Sequence, residues 1–398
     1  MNEKYAKRFK TTKNDGEKMI FPAVPSHGRG KIKIITDLSK DVDILYPELR
    51  DYLSAESETE ETELLLRAKS SNGKYYGQTL CISWESDGGC EYIVYLSVFS
   101  DFRNAERFFV KDTSVDIGGA LIPGEKYFIK ISGKNKSSCV QSFTVKNAPV
   151  RPINAQGAYN VRDLGGLKTS SGGTVSYGKL FRGGRINDGN EPALTESGLY
   201  VMNERLGIKS EIDLRRAGTD DGGQTKSVLG DDVRYLKAGF TGYSFVIPEF
   251  NDYGPNSRSY SQGSIEAIKS VFTFLADDKN YPVYFHCNSG ADRTGTLALL
   301  IEAVVGVNEK DIIKDFELTS FAYVYGPRYR GRIENGRFFG GVMQDDKDNF
   351  VGLGLFIDDL KKYYGNGGTL NNAVVNYLIS ACCVTEKEIE VLRKILIG

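Results

Sequence analysis

A cysteine followed six residues later by an arginine is the pair of side chains in this sequence best suited to phosphate chemistry. The segment reads Phe285-His-Cys-Asn-Ser-Gly-Ala-Asp-Arg-Thr-Gly295 and includes Cys287 and Arg293. A guanidinium group has the planar fork that binds two phosphate oxygens. A helix N-terminus and a nearby cation favour the thiolate, which is the nucleophilic form of cysteine. We therefore predict that Cys287 attacks phosphorus and that Arg293 anchors the phosphate.

The residues after Cys287 are predicted to form a phosphate-binding turn between a strand and a helix. Backbone N–H groups in such a turn converge on an anion, and the following helix adds its positive N-terminal end. Thr294 is expected to donate a hydrogen bond to the departing Cys287 sulfur, and His286 to hold the loop through backbone hydrogen bonds. The expected phosphate-binding residues are Asn288, Ser289, Gly290, Ala291, Asp292 and Arg293.

The leaving phenolate or alkoxide needs a proton from a nearby carboxyl group. Asp292, inside the loop, is the first candidate for this general acid, and Asp213, in the strand-like segment 211–215, is the second. Asp220 and Asp221 are alternatives on a separate loop. Each of these carboxylates has a structural alternative as a brace that pairs with a backbone N–H or an arginine, so the choice stays open.

Two stretches of the sequence carry a family resemblance. The string from His286 to Gly295 resembles the signature loop of protein tyrosine phosphatases. The stretch Ala158-Tyr-Asn-Val-Arg-Asp-Leu-Gly-Gly166 and the later Gly178-Lys-Leu-Phe-Arg-Gly-Gly184 resemble bacterial tyrosine/serine phosphatases of the secreted mycobacterial B type and their Listeria relatives. The resemblance covers about residues 150–398. It implies hydrolysis of phosphotyrosine monoesters, with phosphoserine or phosphothreonine as further substrates, through a phosphocysteine.

The stretches 158–166 and 178–184 also contain the residues expected to support the site. These are Asn160, Arg162, Asp163 and Arg182. Arg162 and Asp163 are expected either to pair with each other beneath the site or to serve the architecture alone. For Arg182 the expectation is that it lines the pocket or pairs with Asp163.

Two other functions compete with a protein phosphatase. The first is a phosphoinositide or inositol phosphate phosphatase. Relatives active on phosphoinositides often have lysine before the loop aspartate, and Ala291 stands there in this chain, which disfavours that alternative. The second is a non-catalytic phosphopeptide-binding protein, which would have no use for an intact Cys287 and Arg293.

The patterning of the chain predicts two folded domains after a flexible N-terminus at residues 1–20. Residues 21–148 contain alternating strand-like segments such as Tyr92–Val98 and Lys126–Ile131, typical of an antiparallel β-sandwich. This region loosely resembles fibronectin type III domains. Beyond the proline-containing joint at 147–152, strands alternate with helices, which favours an α/β domain at residues 149–398 with a mostly parallel central sheet flanked by helices.

The composition restricts the classes of partner and cofactor that we expect. The 51 basic and 52 acidic residues give a formal net charge of −1, so bulk electrostatics favour neither nucleic acid nor an anionic membrane. Two histidines, and six cysteines without a C-x-x-C pair, predict no metal site and no cofactor. No apolar run is long enough for a transmembrane helix. We expect a cytoplasmic protein, or a secreted or cell-surface one if a leader was removed, that acts on phosphorylated proteins or peptides.

Overall fold

The computed structural model describes residues 30–69, 76–88, 91–134, 136–250, 257–322, 332–334, 337–339, 343–344 and 350–397. Within this part of the chain there are two compact units. The first comprises residues 30–42, 80–117 and 125–145, and the second comprises residues 43–79, 118–124 and 146 onward. The predicted boundaries at residues 20/21 and 148/149 stay predictions. The observed division adds that segment 43–79 packs with the second unit.

The first unit is built on strands paired side by side in the order β4-β3-β6-β7-β1-β2-β5, with β8 also paired to β6. All neighbouring strands are antiparallel except β1 and β7. Side chains of β3 alternate between the core and the other face, as the sequence pattern predicts. The strands are β1 (Gly30–Ile34), β2 (Cys81–Ser86), β3 (Tyr92–Ser97), β4 (Glu106–Val110), β5 (Ser114–Asp116), β6 (Lys126–Gly133), β7 (Lys136–Ser137) and β8 (Gln141–Thr144).

Two helices that precede β2 in sequence belong to the second unit. They are α1 (Pro47–Ser54) and α2 (Glu58–Lys69). The ammonium group of Lys314 donates to the backbone carbonyls of Leu53 (2.8 Å) and Ala55 (3.0 Å), at the end of α1 where carbonyls lack helical partners. The Tyr52 hydroxyl donates to Glu317 at 2.6 Å. These contacts attach the helical pair to the rest of the second unit.

The second unit is an α/β fold, as predicted. Its sheet has the order β15-β14-β16-β11-β10-β9, in which β15, β14, β16 and β11 run parallel and β10 and β9 are antiparallel. Its strands are β9 (Arg151–Pro152), β10 (Arg162–Asp163), β11 (Leu180–Gly183), β14 (Ser210–Asp213), β15 (Arg234–Lys237) and β16 (Val283–His286). Short hairpins outside this sheet are formed by β12 (Asn187–Asp188) with β13 (Glu191–Pro192), β17 (Arg332–Glu334) with β18 (Arg337–Phe339), and β19 (Met343–Gln344) with β20 (Phe350–Val351).

Helices cover this sheet and bury its apolar residues. They are α3 (Glu196–Tyr200, continued by a π-helical turn at Val201–Arg205), α4 (Ser257–Leu275), α5 (Asp292–Val304), α6 (Glu309–Glu317), α7 (Leu353–Tyr364), α8 (Leu370–Ser380) and α9 (Glu386–Ile397). Helix α5 is buried along almost its whole length. No helix in the described ranges is long and apolar enough to cross a membrane.

Candidate active site

The predicted nucleophile lies where a buried strand meets the start of a buried helix. All four residues of β16 are buried between β14 and β11, and α5 begins at Asp292. Cys287 follows the last residue of β16 and is 2% exposed. We call residues 287–293 the signature loop. Its position at the carboxyl end of a parallel strand and the N-terminal end of a helix places it in a field that favours anions.

The signature loop is pressed against β11 at Gly290. This residue has φ of +70°, which glycine adopts without steric cost. A Cβ atom there would lie 2.3 Å from the carbonyl carbon of Gly183. Any other residue at position 290 would therefore push the loop away from β11 and alter the curvature of the signature loop.

Polar side chains beneath the signature loop bind its carbonyl oxygens. The Asn160 amide donates to the carbonyls of Ser289 (3.3 Å) and Gly290 (3.0 Å), and the Arg182 guanidinium also donates to Gly290 at 3.0 Å. In a trans peptide the C=O and the next N–H point in opposite directions. The N–H groups of Gly290 and Ala291 therefore face away from this floor, toward the side where a phosphate would bind.

The floor beneath the loop is a buried charge cluster around Asp315, a residue of α6. The Asp315 carboxylate accepts hydrogen bonds from Arg162 Nε at 2.7 Å and from Arg182 at 2.5 Å. Burial alone would raise the pKa of Asp315, but the two arginine charges outweigh it and hold that pKa below its usual range. Burial and the neighbouring Asp315 raise the pKa of Glu302 well above its usual range. We call Arg162, Arg182, Glu302 and Asp315 the floor cluster.

Of the two alternatives for Arg162 and Asp163, the ion pair between them is not formed. Successive residues of a strand point to opposite faces, so these two neighbours on β10 face apart. Arg162 binds Asp315, whereas Asp163 accepts from Arg151 at 2.8 Å and from two backbone N–H groups. Arg182 is fully buried and binds Asp315, so it neither lines the pocket nor pairs with Asp163.

On the opposite side of the loop, the guanidinium of Arg293 contacts Asp220. The distance from Arg293 NH1 to Asp220 Oδ2 is 2.5 Å, and the Asn288 amide donates to the same oxygen at 3.4 Å. Asp220 also accepts from the backbone N–H of Arg216 at 2.7 Å. This carboxylate therefore touches both ends of the signature loop, on a segment that contains three glycines with positive φ, namely Gly218, Gly222 and Gly223.

Asp213, the second predicted acid, is held in its ionised form by the groups that surround it. Its carboxylate is fully buried and accepts from Arg215 (2.8 and 2.9 Å), Tyr235 (2.9 Å) and Lys237 (2.9 Å). Burial alone would raise the pKa of Asp213, but the neighbouring His286 and the bonds from Arg215 and Lys237 hold it well below its usual range. Lys237 also pairs with Asp221 at 2.7 Å and, outweighing burial, lowers the pKa of that carboxyl.

Asp292, the first predicted acid, begins α5 and accepts a hydrogen bond at 2.6 Å from the hydroxyl of Tyr243. It is partly exposed, unlike Asp213. Sequence reasoning did not find Tyr243, which is 49 residues earlier in the chain.

His286 connects the nucleophile to β14. Its Nδ1 lies 3.1 Å from the carbonyl oxygen of Cys287, so a proton on Nδ1 is donated to the loop backbone. Its Nε2 lies 2.9 Å from Glu211, which also accepts from Gln224 (2.9 Å) and Ser227 (2.5 Å). The ring is fully buried. This geometry agrees with the loop-holding role expected for His286, whereas Glu211 had no sequence signal beyond its place in a strand.

The predicted hydrogen bond from Thr294 to the Cys287 sulfur is absent. Thr294 is fully buried, and its hydroxyl has no hydrogen-bond partner among the residues that the structure describes. Likewise, the described ranges contain no group of three or more histidine, cysteine, aspartate or glutamate residues placed to hold a metal ion.

Comparison with known proteins indicates the family of this chain. The sequence profile described as the tyrosine phosphatase family matches residues 153–398. A protein of Cupriavidus necator that bears the name tyrosine-protein phosphatase is 27% identical over 176 residues, which is 39% of this chain and 59% of the relative. A tyrosine-protein phosphatase of Nostoc commune is 28% identical over 148 residues, or 34% of this chain and 46% of the relative. The chain therefore spans about half the length of these relatives.

Two solved structures show a more distant similarity. The catalytic core of the PP-IP phosphatase SIW14 from S. cerevisiae is 16% identical, with a TM-score of 0.24, over 37% of this chain and 76% of the other. TpbA of P. aeruginosa is also 16% identical, with a TM-score of 0.26, over 44% of this chain and 81% of the other. Similarity at this level carries no inference about this chain.

Proposed function

The chain belongs to the tyrosine phosphatase family, and we propose that it hydrolyses phosphotyrosine monoesters in proteins or peptides through a phosphocysteine intermediate. The observation that carries this proposal is the geometry of the signature loop. A cysteine at the end of a buried parallel strand faces a turn whose carbonyls bind the floor cluster and Asn160. The N–H groups left on the other side, with the guanidinium of Arg293, fit a phosphate.

In the first step, the Cys287 thiolate attacks phosphorus and a new S–P bond forms as the bond to the ester oxygen breaks. The electron pair of that bond goes to the leaving oxygen, which takes a proton from a carboxylic acid. Arg293 and the loop N–H groups stabilise the charge on the equatorial oxygens. Because Arg293 contacts Asp220 at 2.5 Å, binding of a phosphate must displace or share this contact.

In the second step, a water molecule attacks the phosphocysteine. The carboxylate that gave its proton in the first step takes one from this water, the S–P bond breaks, and its electron pair returns to the sulfur as thiolate. The products are inorganic phosphate and the original enzyme. The thiolate, the carboxylic acid, Arg293 and the loop N–H groups thus provide the nucleophile, the proton and the charge stabilisation for both steps.

We assign the general acid to Asp292. Asp213 is unsuited to the role because three cationic or hydroxyl side chains already hold its carboxylate in the ionised form. Asp221 is held similarly by Lys237. Asp220 remains the alternative, since its carboxylate contacts Arg293 and Asn288.

A leaving-group series decides between these two carboxylates. If Asp292 is the acid, Asp292→Asn should slow the hydrolysis of phenyl and alkyl phosphates by roughly 10²–10⁴-fold and nitrophenyl phosphate far less, because a nitrophenolate leaves without a proton. The matched variant is Asp220→Asn. If Asp220→Asn shows that selectivity and Asp292→Asn slows all substrates alike, the acid is Asp220.

Substrate class is proposed on the family and on Ala291. Phosphotyrosine is the proposed main substrate, with phosphoserine and phosphothreonine as secondary ones. The inositol phosphate alternative has no lysine in the loop to support it, because position 291 is a buried alanine. A turnover panel of phosphotyrosine, phosphoserine and phosphothreonine peptides and soluble phosphoinositides tests this choice. Faster turnover of the phosphoinositides than of every peptide would contradict the proposal.

The finer affiliations remain proposals. We propose that the second unit is related to the secreted mycobacterial B-type and Listeria-like phosphatases, on the motifs around Asn160 and Arg182. We also propose that the first unit is a fibronectin type III-like domain that docks or positions substrate. Its strand pairing, which is mainly antiparallel, supports this proposal.

A further inference from the structure

Tyr243 has a backbone conformation that is unusual for its residue type. It begins a short 3-10 turn, Tyr243–Val246, between β15 and α4, and its φ is +60°. A bulky residue in the left-handed region costs of the order of 1–3 kcal/mol and persists only where the surroundings fix it. Tyr243 is 1% exposed.

The contacts that fix this turn lie near the start of α5 and on α6. The backbone N–H of Tyr243 donates to the Thr296 hydroxyl at 2.8 Å. Gly242 is so close to the helix that a Cβ atom there would lie 3.3 Å from the backbone nitrogen of Arg293. The Tyr243 ring meets Phe316 edge-on, with centroids 6.2 Å apart. The turn is therefore a buttress against the end of α5 that carries Asp292 and Arg293.

The hydroxyl of Tyr243 donates to Asp292 Oδ1 at 2.6 Å. We propose that Tyr243 is a positioning residue, which orients the Asp292 carboxyl group for proton transfer to the leaving oxygen. The proposal rests on the function proposed above, and within it on Asp292 as the general acid. Because the two oxygens of a carboxyl group are rigidly related, holding Oδ1 fixes the direction in which Oδ2 presents its proton.

The test is a comparison of two tyrosine-to-phenylalanine variants. Tyr243→Phe keeps the buried ring and removes only the hydroxyl. Across aryl phosphates from nitrophenyl to phenyl, we expect kcat to fall about tenfold for phenyl phosphate and less than about twofold for nitrophenyl phosphate, with KM unchanged. The matched control is Tyr235→Phe, which removes a hydroxyl that donates to Asp213 at 2.9 Å. This control should leave the dependence on leaving group as in the wild type.

A double variant separates this proposal from the one on which it rests. If Tyr243 acts through Asp292, adding Tyr243→Phe to Asp292→Asn should cause no further loss on phenyl phosphate. Equal loss across the series in Tyr243→Phe, or additive losses in the double variant, would overturn the positioning role. If Asp292→Asn itself lacks leaving-group selectivity, the acid assignment fails. If Asp292→Asn shows it and Tyr243→Phe does not, only the role of Tyr243 is wrong.

Discussion

The two sides of the signature loop carry opposite kinds of chemistry. On the phosphate side lie Cys287 and Arg293, the latter 17% exposed and in contact with a single carboxylate at 2.5 Å. On the floor side lie Arg162 and Arg182, both fully buried and both bound to Asp315. Three arginines thus surround one short loop, but only Arg293 is placed to exchange its partner for a ligand. Burial and pairing, more than residue type, separate a binding arginine from a structural one.

This contrast predicts different consequences on the two sides. A change on the phosphate side should remove turnover and leave the free energy of unfolding nearly unchanged. A change on the floor side should lower the free energy of unfolding, because it leaves buried charges without partners.

The largest effect on activity is expected for Cys287→Ser. A serine hydroxyl is a far weaker nucleophile in this position, so hydrolysis of nitrophenyl phosphate should fall below detection. The melting temperature should stay close to that of the wild type, since the change is nearly isosteric. Turnover near the wild-type rate would contradict the cysteine mechanism.

Arg293→Lys should lower kcat/KM by roughly a hundredfold or more. A lysine ammonium keeps the charge but cannot reproduce the planar fork that binds two phosphate oxygens. Steady-state kinetics with nitrophenyl phosphate measure the loss, and thermal unfolding serves as the control. Normal rates in this variant would mean that bidentate binding is not required.

Asp315→Asn tests the floor side. It removes the negative charge that both buried arginines share, and breaking a buried ion pair costs about 3–5 kcal/mol. We expect a lower free energy of unfolding in urea, and a loss of activity that follows from displacement of Gly290 and its neighbours. If the variant is as stable as the wild type, the floor cluster does not support the loop as described.

Glu302→Gln is the milder carboxyl-to-amide substitution in the floor cluster, for comparison with Asp315→Asn. Burial and Asp315 raise the pKa of Glu302, which favours its protonated form in the fold, and glutamine mimics that form. The unfolded chain ionises this glutamate above about pH 4.3, so the wild type loses stability as pH rises, whereas the glutamine variant does not.

The melting temperatures of Glu302→Gln and the wild type should therefore be similar near pH 4, with the variant higher at pH 8. Activity should change little. A variant that melts below the wild type at pH 8 would show that Glu302 is ionised in the fold.

The sequence predicted best what depends on neighbours in the chain. The strand, loop and helix around Cys287 are contiguous, so their order follows from local patterning. The hydrogen bonds at the N-terminus of α9 depend on chain neighbours in the same way. Glu388 N–H donates to the Thr385 hydroxyl at 3.2 Å, and Thr385 N–H donates back to the Glu388 carboxylate at 2.7 Å.

Pairing between distant residues could not be predicted in this way. Arg162 and Asp315 are 153 positions apart, and no periodicity connects them. The alternative that adjacent Arg162 and Asp163 pair with each other is disfavoured by the alternation of side chains along β10. A weaker signal did exist for Asp315, which stands between the apolar Ile312 and Phe316 on the buried face of α6.

The central claim, that Cys287 forms a covalent phosphoenzyme, is tested most directly by acid quenching. The wild-type protein would be mixed with excess nitrophenyl phosphate, quenched in acid within its first turnovers, digested and examined by mass spectrometry. We predict one added phosphoryl group on the peptide that contains Cys287, and none in the Cys287→Ser protein. Full turnover with a phosphoryl group on another residue, or on none across all quench times, would contradict it.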